Sequence, residues 1–327
     1  MKQQQKPLRI VLDWDGTLTR RDTLHVLAAI GYSTRNNNRH RRSLTPWDQI
    51  VQAYMSDYKQ HRDSYRPARP ERRTVAQESA WLASLKDVEL RSLQRVQDAG
   101  IFSDVTKQDI WTAAEDAVRD NEVELREGWK DLLSLASHAT NETAEVARPP
   151  VPVSILSVNW SAAFIRACLS AALADDNSPL KGTVDSISIL ANRLACEVER
   201  PGDDGLDFVS IRTSADKLDA LARLRRDGGT GDILYVGDSS TDFDCIVAAD
   251  VGVCMRDEPM GSGQSELKET LERVGVAVLR LDFDRWAKYS KSIPGQGGSM
   301  ESNQSVVWWV THLREVASFV ERYNAVD

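Results

Sequence analysis

The amino-acid sequence predicts an α/β protein with a mostly parallel β-sheet core and a second, smaller helical domain. Short apolar runs rich in β-branched residues alternate with helical segments, as expected of buried parallel strands joined by helices. The stretch between Thr19 and Glu127 is different, because its pattern is helical and shows no convincing strand. Clusters of carboxylates directly follow two of the apolar runs, where parallel sheets bind ligands.

Five apolar runs are predicted as strands because each is too short for a typical helix and rich in β-branched residues. They are Leu8–Leu12, Val151–Leu156, Ile233–Val236, Val251–Cys254 and Val276–Leu279. Helical periodicity separates several of them, over Trp129–Ser137, Ala162–Ala174, Asp216–Arg226 and Ser265–Val274. This alternation is typical of a parallel sheet, since parallel neighbours need a crossover connection.

The helical insertion divides the chain into two predicted domains. Residues 1–19 and 128–327 form the α/β core, and residues 20–127 form the helical domain, with Ala80–Leu93 and Thr106–Glu124 as its strongest helices. The segment Pro294–Asn303 is predicted to be a flexible loop. A last helix is expected to dock on the core through an apolar face comprising Val306, Val307, Trp308, Val310, Leu313 and Val316.

The composition excludes several classes of protein. The 327 residues are 41% hydrophobic and 28% charged, which argues against wholesale disorder, and the net charge of −8 argues against global attraction to nucleic acid or anionic lipid. No signal peptide or membrane-length apolar window is apparent, so we expect a cytoplasmic protein. The four cysteines contain no CxxC pair and lie among apolar residues, which predicts buried, reduced thiols.

Charge is unevenly distributed within the predicted insertion. Residues 20–73 contain 12 basic and 5 acidic residues, a net charge of +7, whereas residues 74–127 contain 6 basic and 12 acidic residues, a net charge of −6. Basic runs of this kind are usually solvated loops. The run Arg39 to Arg42 leaves nuclear import as an alternative, and the basic segment as a whole leaves a rim that attracts an anionic substrate.

The first predicted strand is followed by the sequence Asp13-Trp-Asp15-Gly-Thr-Leu-Thr19. Two carboxylates at alternate positions of an extended chain point to the same side. Gly16 permits a sharp turn that brings backbone N–H groups toward a ligand. Paired carboxylates suit a divalent cation, with one able to attack and the other to move protons. A solvated junction between strand and turn is the alternative that this pattern alone leaves open.

A second carboxylate cluster contains Asp238 and Asp242, directly after the apolar run Ile233–Val236. Parallel strands that end at one edge of a sheet would place these residues near Asp13 and Asp15. Carboxylates brought together in this way repel one another unless a cation or protons offset their charge. We expect Mg²⁺, because every ligand on offer is a hard oxygen.

Two further residues complete a candidate constellation. Ser157 follows the strand Val151–Leu156 and places a hydroxyl at the carboxyl edge of the sheet. Lys217 lies in the helix before the second carboxylate cluster, where an ammonium can neutralise a phosphate and keep a carboxylate ionised. Taken alone, Ser157 is more often a turn residue and Lys217 more often a surface charge. Their order between the two Asp clusters favours a shared site.

In this order the residues resemble the motifs of the haloacid dehalogenase (HAD) superfamily. The first motif, DxDGTLT, is matched from Asp13 to Thr19, the second by Ser157, the third by Lys217 and the fourth, GDxxxD, from Gly237 to Asp242. The resemblance implies a Rossmann-like core. A helical insertion after the first motif is similar to the branch that includes phosphoserine phosphatase, and so is the run Ser188–Leu194. The insertion would then act as a cap that closes over the site.

The resemblance also implies a chemical role for each carboxylate. Asp13 would be the nucleophile that forms an aspartyl-phosphate, and Asp15 would act as general acid and then general base. Mg²⁺ would be held by the Asp13 carboxylate, the Asp15 backbone carbonyl and Asp238, and Asp242 would orient these ligands.

The remaining predicted site residues concern the substrate. Ser157, Asn159 and Lys217 would bind the phosphoryl oxygens. Asp22 lies where related enzymes have an acid that helps to recognise the substrate, and a surface ion pair with Arg20 or Arg21 is its alternative.

The expected function is therefore a Mg²⁺-dependent phosphatase that hydrolyses a small phosphorylated metabolite. A phosphomutase or phosphotransferase would use the same Asp pair, and a binding or regulatory protein that keeps the fold without turnover is a third hypothesis. The sequence does not define the substrate, the oligomeric state or the role of the basic segment.

Overall fold

The computed structural model describes residues 6–36, 45–137, 150–174, 178–198, 211–227, 229, 231–292 and 305–325. The predictions for Arg39–Arg42 and Pro294–Asn303 concern residues outside these ranges. The described residues contain seven strands: β1 Leu8–Leu12, β2 Val153–Leu156, β3 Ser188–Leu190, β4 Asp232–Gly237, β5 Val251–Met255, β6 Ala277–Arg280 and β7 Val306–Val310.

The same part of the chain contains thirteen α-helices. Five lie between β1 and β2: α1 Leu24–Asn36, α2 Trp47–Ser64, α3 Val75–Ser84, α4 Lys86–Asp98 and α5 Lys107–Arg119. The other eight are α6 Trp129–Ser134, α7 Ala162–Ala171, α8 Leu180–Ser186, α9 Ser214–Asp227, α10 Phe243–Ala248, α11 Ser262–Arg273, α12 Phe283–Ser292 and α13 Leu313–Asn324. None of the helices in the described ranges is both long enough and apolar enough to span a membrane.

All seven strands belong to one parallel sheet with the order β3-β2-β1-β4-β5-β7-β6. The prediction of a parallel α/β core is confirmed. The first strand lies between β2 and β4, so the carboxyl ends of these three strands meet at one edge. Asp13 extends the β1–β4 ladder, because its backbone N–H donates to the Val236 carbonyl at 2.9 Å.

Both faces of the sheet are buried, as the continuous apolar character of its strands requires. Ile10 and Leu12 contribute to an apolar cluster that includes residues of α7 and α13, whereas Val11 contributes to a cluster with α9, α10 and α11. This alternation follows from the two-residue period of a strand. The core is therefore a sheet between two layers of helices.

The helical insertion packs against both helical layers of the core. Helices α1 and α5 share the first apolar cluster and α5 packs against α7, while α3 contributes to the second cluster and packs against α9. The chain enters and leaves the insertion side by side, since Thr19 and Leu125 form an antiparallel bridge. The backbone N–H of Arg126 then donates to the Leu18 carbonyl at 2.8 Å.

The predicted last helix was wrong in its first part. Val306–Val310 is the strand β7, inserted between β5 and β6, and α13 begins only at Leu313. Val and Trp are strand-forming residues, and in this run they fill an internal position of the sheet. Their apolar spacing fits a helix and a buried strand alike, so the available place in the sheet decides between the two.

Two other elements differ from prediction. The helix expected over Ala80–Leu93 is broken at Leu85 into α3 and α4. The strand β3 was not predicted, because its three residues are too few for a periodic signal and it lies at the edge of the sheet. All four cysteines are unpaired as predicted; Cys168, Cys245 and Cys254 are buried, but Cys196 is only partly so.

Candidate functional site

A group of polar residues is buried at the carboxyl ends of β1 and β4. Asp13, Asp238 and Asp242 each offer a carboxylate oxygen, and the three oxygens lie within 4.8 Å of one another. All three residues are at most 8% exposed. The parallel sheet therefore brings Asp13 together with Asp238 and Asp242, as the sequence predicted, whereas Asp15 is not part of this group.

Lys217 lies at the centre of this group. Its fully buried ammonium donates to Asp13 Oδ1 and to Asp242 Oδ1, each at 2.7 Å. Lys217 is in the first turn of α9, on the face turned toward the sheet, which explains how a charged side chain from a helix reaches the strand ends. The structure thus joins the third predicted motif directly to the first and the fourth.

Both carboxylate oxygens of Asp242 accept hydrogen bonds, and these bonds close the loop after β4. Its Oδ1 also accepts from the Tyr235 hydroxyl at 2.7 Å, and its Oδ2 accepts from the backbone N–H groups of Asp238 and Ser239, both at 3.1 Å. These bonds fold the loop back on itself and direct Asp238 toward Asp13. The contacts of Asp242 are therefore those of a positioning residue.

The turn after β1 is shaped to approach Asp238 closely. Gly16 has a positive φ of 74°, and a Cβ at this position would overlap the Asp238 carboxylate. Only glycine combines that backbone conformation with that proximity. The next residue, Thr17, donates its hydroxyl to Asp238 Oδ1 at 3.3 Å.

The buried cluster contains more negative than positive charge. Burial raises the pKa of Asp13 well above its usual range, and burial together with the charge of Asp242 raises the pKa of Asp238 to about 8. Burial lowers the pKa of Lys217, but Asp13 and Asp242 raise it by more, so the ammonium stays charged. One ammonium faces three carboxylates, and a divalent cation would supply the two missing charges with oxygen ligands of the type that Mg²⁺ binds.

Asp15 lies in a separate hydrogen-bond network beside the cluster. Its Oδ1 accepts from the backbone N–H of Thr23 at 2.8 Å and from the Thr23 hydroxyl at 2.6 Å, and its Oδ2 accepts from Asn159 Nδ2 at 3.1 Å. Burial, with a contribution from the charge of Asp22, raises the pKa of Asp15 to about 6. This carboxyl group can therefore exchange a proton near neutral pH.

The other predicted residues lie around this second network. Ser157 is fully buried at the end of β2, and its hydroxyl accepts from the backbone N–H of Asn159 at 3.1 Å. Asn159 is directed at Asp15 and Thr23. Asp22 is exposed and accepts from the Leu24 N–H at the start of α1. Arg20, an alternative partner for Asp22, instead pairs with Glu124 at 2.7 Å.

Arg126 is an important residue that the sequence analysis did not assign to the site. Its guanidinium, 1% exposed, donates to the Gly16 carbonyl at 2.8 Å and to the Thr17 carbonyl at 3.2 Å, and pairs with Asp257. It therefore ties the turn after β1 to the return from the insertion and to the loop after β5. No local pattern in the sequence indicates that Arg126 is buried.

Thr23 and Tyr235 were also missed. Thr23 connects Asp15, Asn159 and Trp14, whose indole donates to the Thr23 hydroxyl at 3.1 Å. A threonine several residues after a motif has no distinguishing pattern, and Tyr235 lies within an apolar strand where its hydroxyl is not expected to serve a site. Both are recognisable only once the strand ends are assembled.

The fold and site define a parallel α/β protein with a buried carboxylate–lysine cluster at its strand ends. No family model matches the chain. Similar proteins include a CTO1 family protein of Schizosaccharomyces pombe, 23% identical over 257 residues that cover 75% of this chain and 81% of the relative. The bifunctional TH2 protein, mitochondrial, of Arabidopsis thaliana is 24% identical over 240 residues, which cover 69% of this chain but only 32% of that protein.

Among solved structures, the phospho-aspartyl intermediate analogue of phosphoserine phosphatase is 15% identical, with 82% of this chain and 91% of that chain covered and a TM-score of 0.40. A substrate-bound phosphoserine phosphatase complex is 14% identical with the same coverage, 82% and 91%, and a TM-score of 0.39. At these TM-scores the likeness establishes neither the activity nor the substrate of this chain.

Asp238→Asn is expected to make the metal-free protein less sensitive to pH. Because the pKa of Asp238 is raised from 3.8 to about 8, the folded state binds this proton more tightly than the unfolded state does. The resulting stability is present at low pH and is lost as pH rises through about 8. Thermal unfolding in EDTA should therefore show a smaller decrease in Tm between about pH 5.5 and 8.5 for the variant than for wild type.

The same variant should lose stabilisation by added metal. At a hundred times Kd, a bound cation stabilises wild type by about 2.7 kcal/mol, and Asp238→Asn should abolish most of this gain. Asp219→Asn, an exposed substitution on α9, is the matched control. Equal stabilisation of Asp238→Asn and wild type by Mg²⁺ would exclude Asp238 as a ligand.

Arg126→Lys is expected to weaken the binding of an added divalent cation, because Arg126 holds the turn that lies against the candidate ligand Asp238. Lysine keeps the charge but loses the planar fork that reaches two carbonyls and Asp257 at once. Calorimetric titration with Mg²⁺ measures the effect. Arg225→Lys, at the half-exposed ion pair with Asp250, is the control, and unchanged affinity in Arg126→Lys would show that Arg126 has no influence on the metal site.

Proposed function

We propose that this protein is a HAD-superfamily phosphatase that hydrolyses a small phosphomonoester through an aspartyl-phosphate. The observation that carries the proposal is the pairing of Asp13 with Lys217, 2.7 Å apart, beside Asp238 at the ends of two adjacent parallel strands. Its support from the sequence is the presence of four family motifs in order. A site that had lost its function would not be expected to keep every one of these contacts.

Asp13 is the proposed nucleophile. Its carboxylate lies at the end of a rigid central strand, and the ammonium of Lys217 favours the ionised form that attack on phosphorus requires. Lys217 and the Ser157 hydroxyl are the proposed partners of the phosphoryl oxygens. Mg²⁺, held by the Asp13 carboxylate, the Asp15 backbone carbonyl and Asp238, would offset the negative charge of cluster and phosphate.

Asp15 is the proposed general acid and base. A pKa of about 6 allows its carboxyl group to protonate a leaving alkoxide and then to accept a proton from water. Thr23 and Asn159 hold this carboxyl group in place through hydrogen bonds. Asn159 is therefore proposed to orient Asp15 as well as to bind a phosphoryl oxygen. Two carboxylates two residues apart thus have different roles because one lies within the charged cluster and the other outside it.

The insertion, residues 20–127, is proposed to be a cap domain of the phosphoserine phosphatase type, resting on the core formed by residues 1–19 and 128–327. Its support is the attachment of its two ends beside the site, through the bridge between Thr19 and Leu125. A cap covering the strand ends would exclude water and restrict the enzyme to small substrates. Asp22, exposed at the start of α1, is the proposed contact for a cationic group of the substrate.

Asp13→Asn is expected to reduce phosphate release to the background rate while the protein stays folded. The amide cannot form the acyl-phosphate, and it removes one charge from a repulsive cluster, so Tm should not fall. A panel of phosphorylated metabolites and p-nitrophenyl phosphate, assayed for free phosphate with and without Mg²⁺, measures the loss. Asp219→Asn is again the control, and full activity of Asp13→Asn would disprove the mechanism.

Asp15→Asn should have an effect that depends on the leaving group. A general acid contributes about 10²- to 10⁴-fold when the leaving alkoxide is basic, and little when the leaving group needs no proton. Formation of the phosphoenzyme should therefore be severely slowed for alkyl phosphates and nearly retained for p-nitrophenyl phosphate, as measured by pre-steady-state bursts. An equal loss for both esters would exclude this role.

Release of free phosphate, with no isomerised phosphoester, distinguishes hydrolysis from mutase activity.

A further inference from the structure

Asn192 lies between two segments of the proposed phosphoryl site. It follows the short strand β3 and is partly buried. On one side of it is the loop after β2, which contains Ser157 and Asn159. On the other side is Ile211, which shortly precedes α9 and therefore Lys217. The hydrogen bonds of Asn192 reach both segments.

The side-chain amide of Asn192 pairs with the backbone of Ile211 at two points. Its Oδ1 accepts from the Ile211 N–H at 2.8 Å, and its Nδ2 donates to the Ile211 carbonyl at 2.8 Å. An amide is suited to this pairing because it carries a donor and an acceptor side by side. Ile211 is 2% exposed, and a backbone group left without a partner at so buried a residue would be costly.

The same amide also holds the loop after β2. Its Nδ2 donates to the Val158 carbonyl at 3.0 Å and to the Asn159 carbonyl at 3.2 Å. The backbone of Asn192 adds two bonds to this loop, from its N–H to the Asn159 carbonyl at 3.1 Å and from the Ala162 N–H to its own carbonyl at 2.9 Å. One residue therefore joins the loop of the second motif to the segment that leads to the third.

The first turn of α9 connects Ile211 to Lys217. The Thr213 N–H donates to Asp216 Oδ2 at 3.1 Å, and the Asp216 N–H donates to the Thr213 hydroxyl at 3.2 Å, so the two residues cap the helix reciprocally. The Lys217 N–H donates to the Thr213 carbonyl at 3.1 Å. A displacement of Ile211 is therefore expected to move the Lys217 ammonium relative to the loop after β2.

We propose that Asn192 is a positioning residue that sets the distance between the Ser157 hydroxyl and the Lys217 ammonium, the two proposed partners of the phosphoryl oxygens. The inference rests on the proposed phosphatase function and adds to it a residue that acts through the backbone of two segments. Phosphoryl transfer depends mainly on positioning and charge, and a misplacement of about 1 Å can cost about 100-fold in rate.

The test compares phosphate binding with metal binding in Asn192→Ala, which removes the amide and adds no charge. Calorimetric titration measures the affinity for inorganic phosphate in the presence of Mg²⁺, and a separate titration measures the affinity for Mg²⁺ alone. The variant should bind phosphate about 10-fold more weakly, as expected if one hydrogen bond to a charged group is lost. Its Mg²⁺ affinity should be unchanged, because the candidate metal ligands follow β1 and β4.

Steady-state kinetics with p-nitrophenyl phosphate give a second measurement. Contacts with the phosphoryl oxygens exist in the bound substrate and in the transition state, so KM should rise and kcat should fall. A purely structural role would lower kcat through a smaller folded fraction and leave KM unchanged. Asn324→Ala, an exposed substitution on α13, is the matched control.

Asn192→Asp carries the test if Asn192→Ala does not fold. It keeps the acceptor for the Ile211 N–H but turns an oxygen toward the three backbone carbonyls that accept from Nδ2. Ala195→Asp, at an exposed position of the same loop, controls for the added charge. Unchanged phosphate affinity and KM in the Asn192 variants would overturn the proposal, and so would an equal loss of phosphate and Mg²⁺ affinity.

Failure of the phosphatase proposal has a different signature. If wild type binds phosphate with Mg²⁺ but hydrolyses no ester, the catalytic assignment is wrong, and weaker phosphate binding by Asn192→Ala still supports the positioning role. If wild type binds no phosphate, the positioning role is overturned as well, because there is then no phosphoryl site for Asn192 to organise.

Discussion

The electrostatic balance around Lys217 is the constraint on which the site depends. An ammonium with no exposure to water is stable only among groups of opposite charge, and Asp13 and Asp242 provide them at 2.7 Å. Asp238 adds a third carboxylate, so the cluster attracts more positive charge than one lysine supplies. In the absence of a cation the buried cluster therefore contains more negative than positive charge, and a divalent metal is one group that would offset the difference.

The parallel sheet is what makes so concentrated a cluster attainable. Neighbouring strands that run in one direction deliver their carboxyl ends to one edge, and the backbone bond from Asp13 to Val236 aligns the first motif with the strand that leads to the fourth. The turn after β1 must also approach the loop after β4 closely, which requires glycine at position 16. Arg126 holds this turn by a hydrogen bond to the Gly16 carbonyl. Sheet topology places the groups within a few ångströms, and the buried arginine and glycine determine the remaining geometry.

The insertion also contributes to the surroundings of Asp15. Thr23, directly before α1, donates its backbone N–H and its hydroxyl to Asp15 Oδ1 and so orients this carboxyl group. The two carboxylates of one short motif therefore lie in different environments, since Asp13 is paired with Lys217 and Asp15 accepts from Thr23 and Asn159.

The sequence by itself determined the α/β class and the main strands of the core, and it predicted that Asp13, Lys217, Asp238 and Asp242 would meet at the strand ends, because buried strands and strand-end motifs are local signals. Tertiary structure decided whatever depended on a place in the sheet or on a partner distant in the chain. Val306–Val310 became a strand because a position between β5 and β6 was open to it. Arg126 became part of the site because Gly16, more than a hundred residues away, offers it a carbonyl. No periodic pattern encodes such pairings, since they arise only when distant segments share one buried volume.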